Sequence, residues 1–452
     1  MNRSVKYLVK KVIVIMSIIS RVCIYKMWNA YDLTINFDEK INYIIGANGS
    51  GKTTVINLIA SAINADIGKL EKIDFEKIEI TFKQYGDQKR PKLIVTKKNK
   101  KLKLFDDIVY SITKSSKGAL EELVDIVDTS DRFHSSRRTI SPVYRQQNVI
   151  LNIKRKVNDL VKMSWLPVQR YDEFSVEKSE DIDYVKRIDS TIDRKLLSLS
   201  NELVRFFSLL SQRYSEYAVD FQKSSFLSIL KQDKLNSVFE FAQGLDVENE
   251  KKSIVAIFDV LGVEKKVSGP LINSHFKKLT KLQFDQKNKD QNSHNTIKAN
   301  DFSTFYTAWK ISSLVDGYKI LQEEKHKIFK QRDIFLEILN DLFENRKNFS
   351  ISDNNELVIK TQRDQKILLT NLSSGEKQIL IILSEALLQN LDPVVYIADE
   401  PELSLHISWQ EKLSKSILLI NPRAQIIFAT HSPDIVGQYQ GNVLNIEGFF
   451  NE

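Results

Sequence analysis

Cysteine is nearly absent from this chain: Cys23 is the only one among 452 residues. A monomer therefore has no internal disulfide and no Cys-rich zinc site, which suits a reducing compartment and makes the cytoplasm the expected location. No stretch approaches the twenty or so apolar residues that cross a bilayer, so no membrane partner is expected. The nearest thing to a targeting segment is the N-terminus, where Lys6, Lys10 and Lys11 accompany "VIVIMSII", a basic flank and short apolar run of the kind found in secretory signals. No Ala-x-Ala-like cleavage site follows, and "RVCIYKMWNAYDLTINF" reads as a pair of strands, so Val12 to Ile19 reads as the approach to a sheet. A true start at Met16 fits as well.

Acids are the scarcer charge, 58 against 66 Lys and Arg, for a net charge of +8. The excess favours acidic partners, nucleic acid or an acidic protein, without choosing between them. It gathers in "TKKNKKLKLF" (Thr96 to Phe105), which reads as a hairpin with a lysine-rich edge, and at Arg132, Arg137 and Arg138. Lysines that blunt an exposed strand edge and keep the protein soluble explain the same pattern. The length allows two or three structural units.

What is present begins with "INYIIGANGSGKTTVINLIASAIN". Gly46, Gly51, Lys52 and Thr53 satisfy G-x-x-x-x-G-K-[ST], with an apolar strand over Tyr43 to Ile45 before them and helical spacing from Thr54 to Ile63 after. Glycines let successive backbone N–H groups curl round a polyphosphate, and the helix N-terminus faces its charge. The turn Gly46, Ala47, Asn48, Gly49, Ser50, Gly51, Lys52, Thr53 and Thr54 is therefore the candidate ATP site, with Lys52 reaching the β- and γ-phosphates and the Thr53 hydroxyl completing a Mg²⁺ shell.

A P-loop ATPase needs a second strand that presents an acid to the Mg²⁺-bound water. "PVVYIADE" supplies one: Asp399 to hold Mg²⁺ through water and Glu400 to polarise the attacking water as general base. Upstream lies Leu372-Ser373-Ser374-Gly375-Glu376; downstream come "ELSLH" (Glu402 to His406) and "AQIIFATHSPDIV", whose buried strand ends at Thr430 and His431.

These five motifs, in this order and spacing, resemble ABC-type ATPases. The resemblance implies an α/β ABC-ATPase P-loop fold, a mixed sheet with flanking helices, interrupted by a large helical or short coiled-coil insertion. It implies ATP and Mg²⁺ as cofactors, and His431 as the switch histidine that senses the γ-phosphate in cis. It also implies that Ser373 and the Gly375 backbone, with Ser374 and Glu376 in the same helix start, contact ATP bound to another subunit. Each chain then holds half of each site, and ATP joins the subunits of a homo-oligomer. Gln169, after "MSWLPV", is either the loop glutamine that couples Mg²⁺ to the helical lobe or a plain surface residue, since "PVQRY" matches irregularly.

Roughly two hundred residues separate Gln169 from Leu372, more than a transporter's compact helical lobe needs. Ser-Ser-Gly-Glu also resembles the SMC, RecF and OLD branch. The expected division is 1–170 for the first ATPase half, 171–347 for a helical arm and 348–452 for the second half. Ile192, Leu196, Leu199, Leu203, Phe206, Leu210 and Tyr214 give one apolar stripe. Leu314, Leu321, Ile328, Phe335 and Leu342 recur every seven residues along a second helix, with Lys325 and Arg332 breaking the positions between. A short antiparallel arm follows, with an exposed loop over Gln283 to Asp301. An SMC-length arm needs several times more chain, and a zinc hook needs paired cysteines.

Only about twenty residues follow His431, too few for the TOPRIM domain of OLD nucleases. Any nuclease is expected on a separate polypeptide. The layout resembles the ATPase subunits of two-component antiphage systems, PARIS before Septu. That resemblance implies a sensor that holds a toxic nuclease in check, of TOPRIM type in the first and HNH type in the second, until a phage protein such as an acidic DNA mimic appears. The alternatives are a RecF-like DNA-maintenance ATPase that binds duplex DNA directly, and a structural scaffold whose hydrolysis is vestigial.

Overall fold

The computed structural model describes residues 17–84, 89–98, 107–113, 125–127, 142–166, 191–230, 244–287, 299–344 and 346–451. The chain divides into two compact units, one of Met1–Val204 with Ile334–Glu452 and one of Arg205–Asp333. Gln169, the arginines at 132, 137 and 138, and the N-terminal residues through Met16 lie outside the described residues, as does most of the lysine run after Lys98.

The first unit holds two large sheets and a small one. Strands β3 (Ile41–Ile45), β8 (Lys162–Leu166), β12 (Val394–Asp399), β13 (Gln425–Ala429) and β14 (Val443–Asn445) form a parallel sheet in the order β14-β3-β13-β12-β8. Every residue of β12 and β13 is buried, and apart from Asp399 and Gln425 at the strand ends they form the apolar runs expected of strands covered on both faces. Strands β1 (Ser17–Met27), β2 (Tyr31–Asn36), β4 (Lys77–Gln84), β5 (Lys92–Lys98), β6 (Asp107–Thr113), β7 (Asp125–Val127) and β15 (Phe450–Asn451) form an antiparallel sheet in the order β15-β2-β1-β4-β5-β6-β7. Alternate residues of β4 are buried, as one-sided burial requires. Helix Lys52–Asn64 shares one core with both sheets, through Val55, Leu58, Ile59 and Ile63 against Ile24, Ile80, Ile397 and Ile427. Strands β9 (Lys347–Ile351), β10 (Leu357–Thr361) and β11 (Lys366–Ile367) make the small sheet.

Two expectations change here. The lysine-rich hairpin does not lie on an edge among the described residues: β5 is flanked by β4 and β6, and Lys97 donates to the carbonyls of Glu71 and Ile73 at 3.0 and 3.1 Å. That lysine caps the end of helix Ile67–Lys72. Both ends of the loop expected over 283–301 are helical, since helix Lys265–Lys287 runs into it from one side and helix Ala299–Leu342 starts inside it from the other; the stretch between lies outside the described residues.

Both apolar stripes lie on long helices, Thr191–Leu230 and Ala299–Leu342. Leu196, Leu199, Leu203 and Leu210 are buried as expected, but Phe207 rather than Phe206 continues the line, the 3-4-4-3 spacing of a 3.6-residue period. On the second helix Leu321, Phe335 and Leu342 are buried, while Val315 and Phe329 lie deeper than Leu314 and Ile328. A strict seven-residue repeat drifts about 20° per heptad on a straight helix, and the buried line steps sideways to follow the core. Within the second unit the two helices run antiparallel, with Tyr214 against Phe329 and Phe221 against Tyr318. The second of these helices also carries a core of this unit, where Ile254, Ile257, Phe276 and Leu279 meet its Phe305 and Val315. Among the described residues no helix is long and apolar enough to cross a membrane.

The two large sheets are tied by one buried side chain. The Gln425 amide donates to the carbonyls of Ile19 (2.7 Å) and Asp38 (2.8 Å), and its Oε1 accepts from the Ile19 amide at 2.8 Å. Gln425→Leu keeps the bulk but leaves those backbone groups unpaired, so it should lower the unfolding free energy by roughly 3 kcal/mol, read as a lower urea midpoint. An unchanged midpoint would mean that the tie carries no stability.

Candidate functional site

The parallel sheet delivers three loops to one edge. Ile44 pairs with Ala429, and Ala429 with Asp399, so the P-loop, the turn after β13 and the paired acids leave their strands at one level. Two further bonds carry the ladder past the strand ends, from the Thr430 amide to the Ile44 carbonyl at 3.1 Å and from the Glu400 amide to the Ala429 carbonyl at 2.8 Å. Open parallel sheets bind ligands outside such carboxyl ends.

In the P-loop, Gly51 has φ +93°, and a Cβ there would stand 2.6 Å from the Trp28 ring; neither the backbone nor the space admits a side chain. Lys52 is buried, and its ammonium donates to the carbonyls of Gly46 and Ala47 at 2.9 and 3.0 Å. Burial pushes that ammonium below the usual lysine range, with Glu400, Asp399 and Glu447 pulling the other way. Glu447, which sequence reasoning missed, accepts from the Ala47 amide at 2.8 Å.

Asp399 is almost fully buried, and the Thr53 side chain stands beside its carboxylate. Burial raises its carboxyl above the ordinary value; Thr53 and Lys52 oppose the shift, whereas Glu400 and Glu402 add to it. Among the described residues no three His, Cys, Asp or Glu side chains gather as a metal cage. One hydroxyl beside one carboxylate is instead the donor set that suits Mg²⁺, which keeps its waters and binds through one or two carboxylates plus substrate phosphates. Glu400 sits at φ +45°, a costly conformation for a residue with a side chain. Its Oε1 lies 3.7 Å from His431 Nε2. The base and sensor candidates are thus neighbours, and both are partly exposed. A cavity of about 420 Å³ opens beside them, lined in part by Gly46, Thr430, His431 and Pro433.

Ser373 caps helix Ser374–Leu388 in a reciprocal box. Its hydroxyl accepts from the Glu376 amide at 3.4 Å, and its own amide donates to Glu376 Oε2 at 2.8 Å. Lys347 lies 2.6 Å from the other Glu376 oxygen. Burial alone would raise the Glu376 carboxyl, but Lys347 and the Ser373 amide hold it below the usual range. Ser373 and Ser374 remain exposed, and among the described residues no hydrogen bond joins them to the P-loop. The helix instead rests on the loop after the acids: Gln378 donates to the Pro401 carbonyl at 3.1 Å, and a Cβ on Gly375 would fall 2.2 Å from the Ser404 carbonyl. Two ion pairs fix its flank to the start of the long helix at Thr191, Lys377 with Asp193 at 2.8 Å and Glu385 with Lys195 at 2.7 Å.

Such a site on such a sheet defines a P-loop nucleoside triphosphatase of α/β architecture with a helical insertion. The chain belongs to the AAA ATPase domain family, whose model matches residues 29–436, and it is an ATPase; enzymes of this class work with ATP and Mg²⁺. No curated protein matches the chain. Among solved structures it is similar to the Smc head domain of Pyrococcus furiosus, with an extended coiled coil and bound to the C-terminal domain of ScpA. Identity there is 13%, 96% of each chain is covered and the TM-score is 0.44. It is also similar to the SMC head domain of Thermotoga maritima, at 10% identity, 92% of this chain and 90% of that one, with a TM-score of 0.37.

Gly375→Ala tests the close approach. The added methyl must push the helix off the Ser404 carbonyl, so ATP turnover should fall about tenfold or more while ATP affinity, set by the P-loop, stays within about threefold. Parental turnover would show that the contact can relax freely.

Proposed function

We propose that this ATPase acts as an ATP-gated regulatory subunit in which two copies of the chain grip nucleotide between them. The observation that carries the reading is the split of the motifs. Lys52, Thr53, Asp399, Glu400 and His431 converge on one sheet edge, whereas Ser373 stands exposed and, among the described residues, makes no hydrogen bond to that P-loop. In this scheme the P-loop amides and Lys52 hold the phosphates, Thr53 and Asp399 hold Mg²⁺, Glu400 takes the proton of the attacking water, and His431 contacts the γ-phosphate. Bound Mg²⁺ supplies charge neutralisation. The signature turn from Ser373 to Glu376 faces the nucleotide of the other copy, where the exposed helix N-terminus favours an anion. The flanking ATPase segments, 1–170 and 348–452, do the chemistry, and 171–347 reports it.

The finer proposal is that the output is restraint of a separate nuclease, of TOPRIM type with HNH as the alternative, released when a phage protein is sensed. Its support is the resemblance of "IADEPELSLHISWQEKL" and "ATHSPDIVG" to the ATPase subunits of PARIS and Septu, together with a net charge of +8 suited to an acidic trigger. Co-purification with the product of a neighbouring nuclease gene tests this part. Tight duplex-DNA binding that weakens steeply with salt, with no partner retained, would favour the RecF-like alternative instead.

Lys52→Ala should weaken ATP about a hundredfold by removing two charge-assisted phosphate contacts of roughly 1.5 kcal/mol each, measured by titration with a fluorescent ATP analogue. Glu400→Gln should leave that affinity intact and cut turnover at least about a hundredfold. Hydrolysis at the parental rate in Glu400→Gln would remove Glu400 as the base.

A further inference from the structure

We infer that Glu402 is a positioning residue for ATP hydrolysis: its buried carboxylate seizes the turn that carries His431 and sets the spacing between that histidine and Glu400. The inference rests on the site reading above and adds a residue to which the sequence motifs give no role.

Glu402 lies in the loop that leaves β12, three residues past Asp399, and only 8% of it is exposed. Oε1 accepts from three consecutive residues of the turn after β13: the Thr430 hydroxyl, the His431 amide at 3.1 Å and the Ser432 amide at 3.3 Å. Such a run of donors is an anion-binding concavity, and a side chain from the neighbouring loop fills it. Among the described residues no cation pairs with Glu402, and its Oε2 is buried without a hydrogen-bond partner. A buried carboxylate held only by neutral donors, one oxygen left bare, is a costly way to join two loops.

Holding the strands together does not require it. The bond from the Glu400 amide to the Ala429 carbonyl already joins the loops at their roots. Glu402 acts one step further out, on the backbone of His431 itself. That matters because no side-chain hydrogen bond holds the His431 ring among the described residues, its one ionic approach being the 3.7 Å to Glu400, so the position of its backbone bears directly on where the ring stands. Gln410 closes a ring round the same turn: its amide donates to the Leu405 carbonyl at 3.0 Å, and its Oε1 accepts from the Ser432 hydroxyl at 2.8 Å. The loop with the base and the loop with the sensor thus move as one body. A shift of about 1 Å in a reacting group can cost a hundredfold in rate.

The test compares steady-state kinetics and ATP affinity of the full chain across Glu402→Ala, His431→Ala and their double variant, with thermal midpoints as a fold check. Glu402→Ala should lower kcat by tenfold to a hundredfold, about as much as His431→Ala, with KM and ATP affinity within threefold. The double variant should be no more than threefold slower than His431→Ala alone, because one defect acts through the other. Glu402→Gln keeps the acceptor at the same reach and should retain kcat within threefold, whereas Glu402→Asp keeps the charge, falls a methylene short and should resemble Glu402→Ala. If Glu402→Ala does not fold, the order of Gln above Asp decides. Parental kcat in Glu402→Ala, multiplied defects in the double variant, or Asp above Gln would overturn the inference. If His431→Ala itself turns over at the parental rate, the site reading falls too; if His431→Ala is impaired and Glu402→Ala is not, only the role of Glu402 is lost.

Discussion

Parallel pairing of β3, β13 and β12 decides where the candidate site gathers. A parallel sheet ends every strand at the same edge, and the register here levels Ile44, Ala429 and Asp399. The residue groups that follow, Gly46 to Thr54, Thr430 to Ser432 and Glu400 to Glu402, are therefore neighbours although nearly four hundred positions separate the first from the last. Slipping β12 by one residue would bury Glu400 and swing Asp399 to the other face. Burying the Glu400 carboxylate without a partner would be costly, which opposes that slip and holds the candidate site in register.

The second constraint is the seat of the signature helix. Gly375 lets its first turn press on the Ser404 carbonyl, and Gln378 binds the Pro401 carbonyl, so the helix follows the same loop that carries Glu400 and Glu402. Its flank is paired to Asp193 and Lys195 at one root of the helical insertion, and its cap to Lys347 just past the other root. The signature helix is thus paired, within its own unit, to both chain segments that flank the insertion.

Much of this was legible in the sequence because the informative residues are local. Glycine spacing marks the P-loop, an apolar run ending in two acids marks β12, and the Ser-Ser-Gly-Glu turn marks the start of the signature helix. Stripe positions were legible to within one residue, failing where a seven-residue repeat drifts against a 3.6-residue helix, as at Ile328 and Phe329. Contacts that join distant segments were not legible. Nothing in "QIIFA" says that Gln425 is a buried tie between sheets, and nothing in "ELSLH" says that Glu402 grips a turn 28 residues away. The hairpin itself was legible, β5 pairing antiparallel with β6, but its place in the sheet was not, because strand order cannot be read from composition: β5 lies between β4 and β6, and Lys97 is spent on a helix end.

The central claim, that each nucleotide is completed by a second copy, is tested most directly by mixing two inactive variants. Lys52→Ala has no working P-loop but keeps its signature turn, and Ser373→Arg blocks the exposed signature turn but keeps its P-loop. Each alone should be inert, while an equimolar mixture should recover ATP turnover toward about a quarter of the parental rate, the share of sites that pair one intact half from each in a randomly mixed dimer. No recovery in a mixture shown to exchange subunits, or full activity in Ser373→Arg alone, would contradict the account.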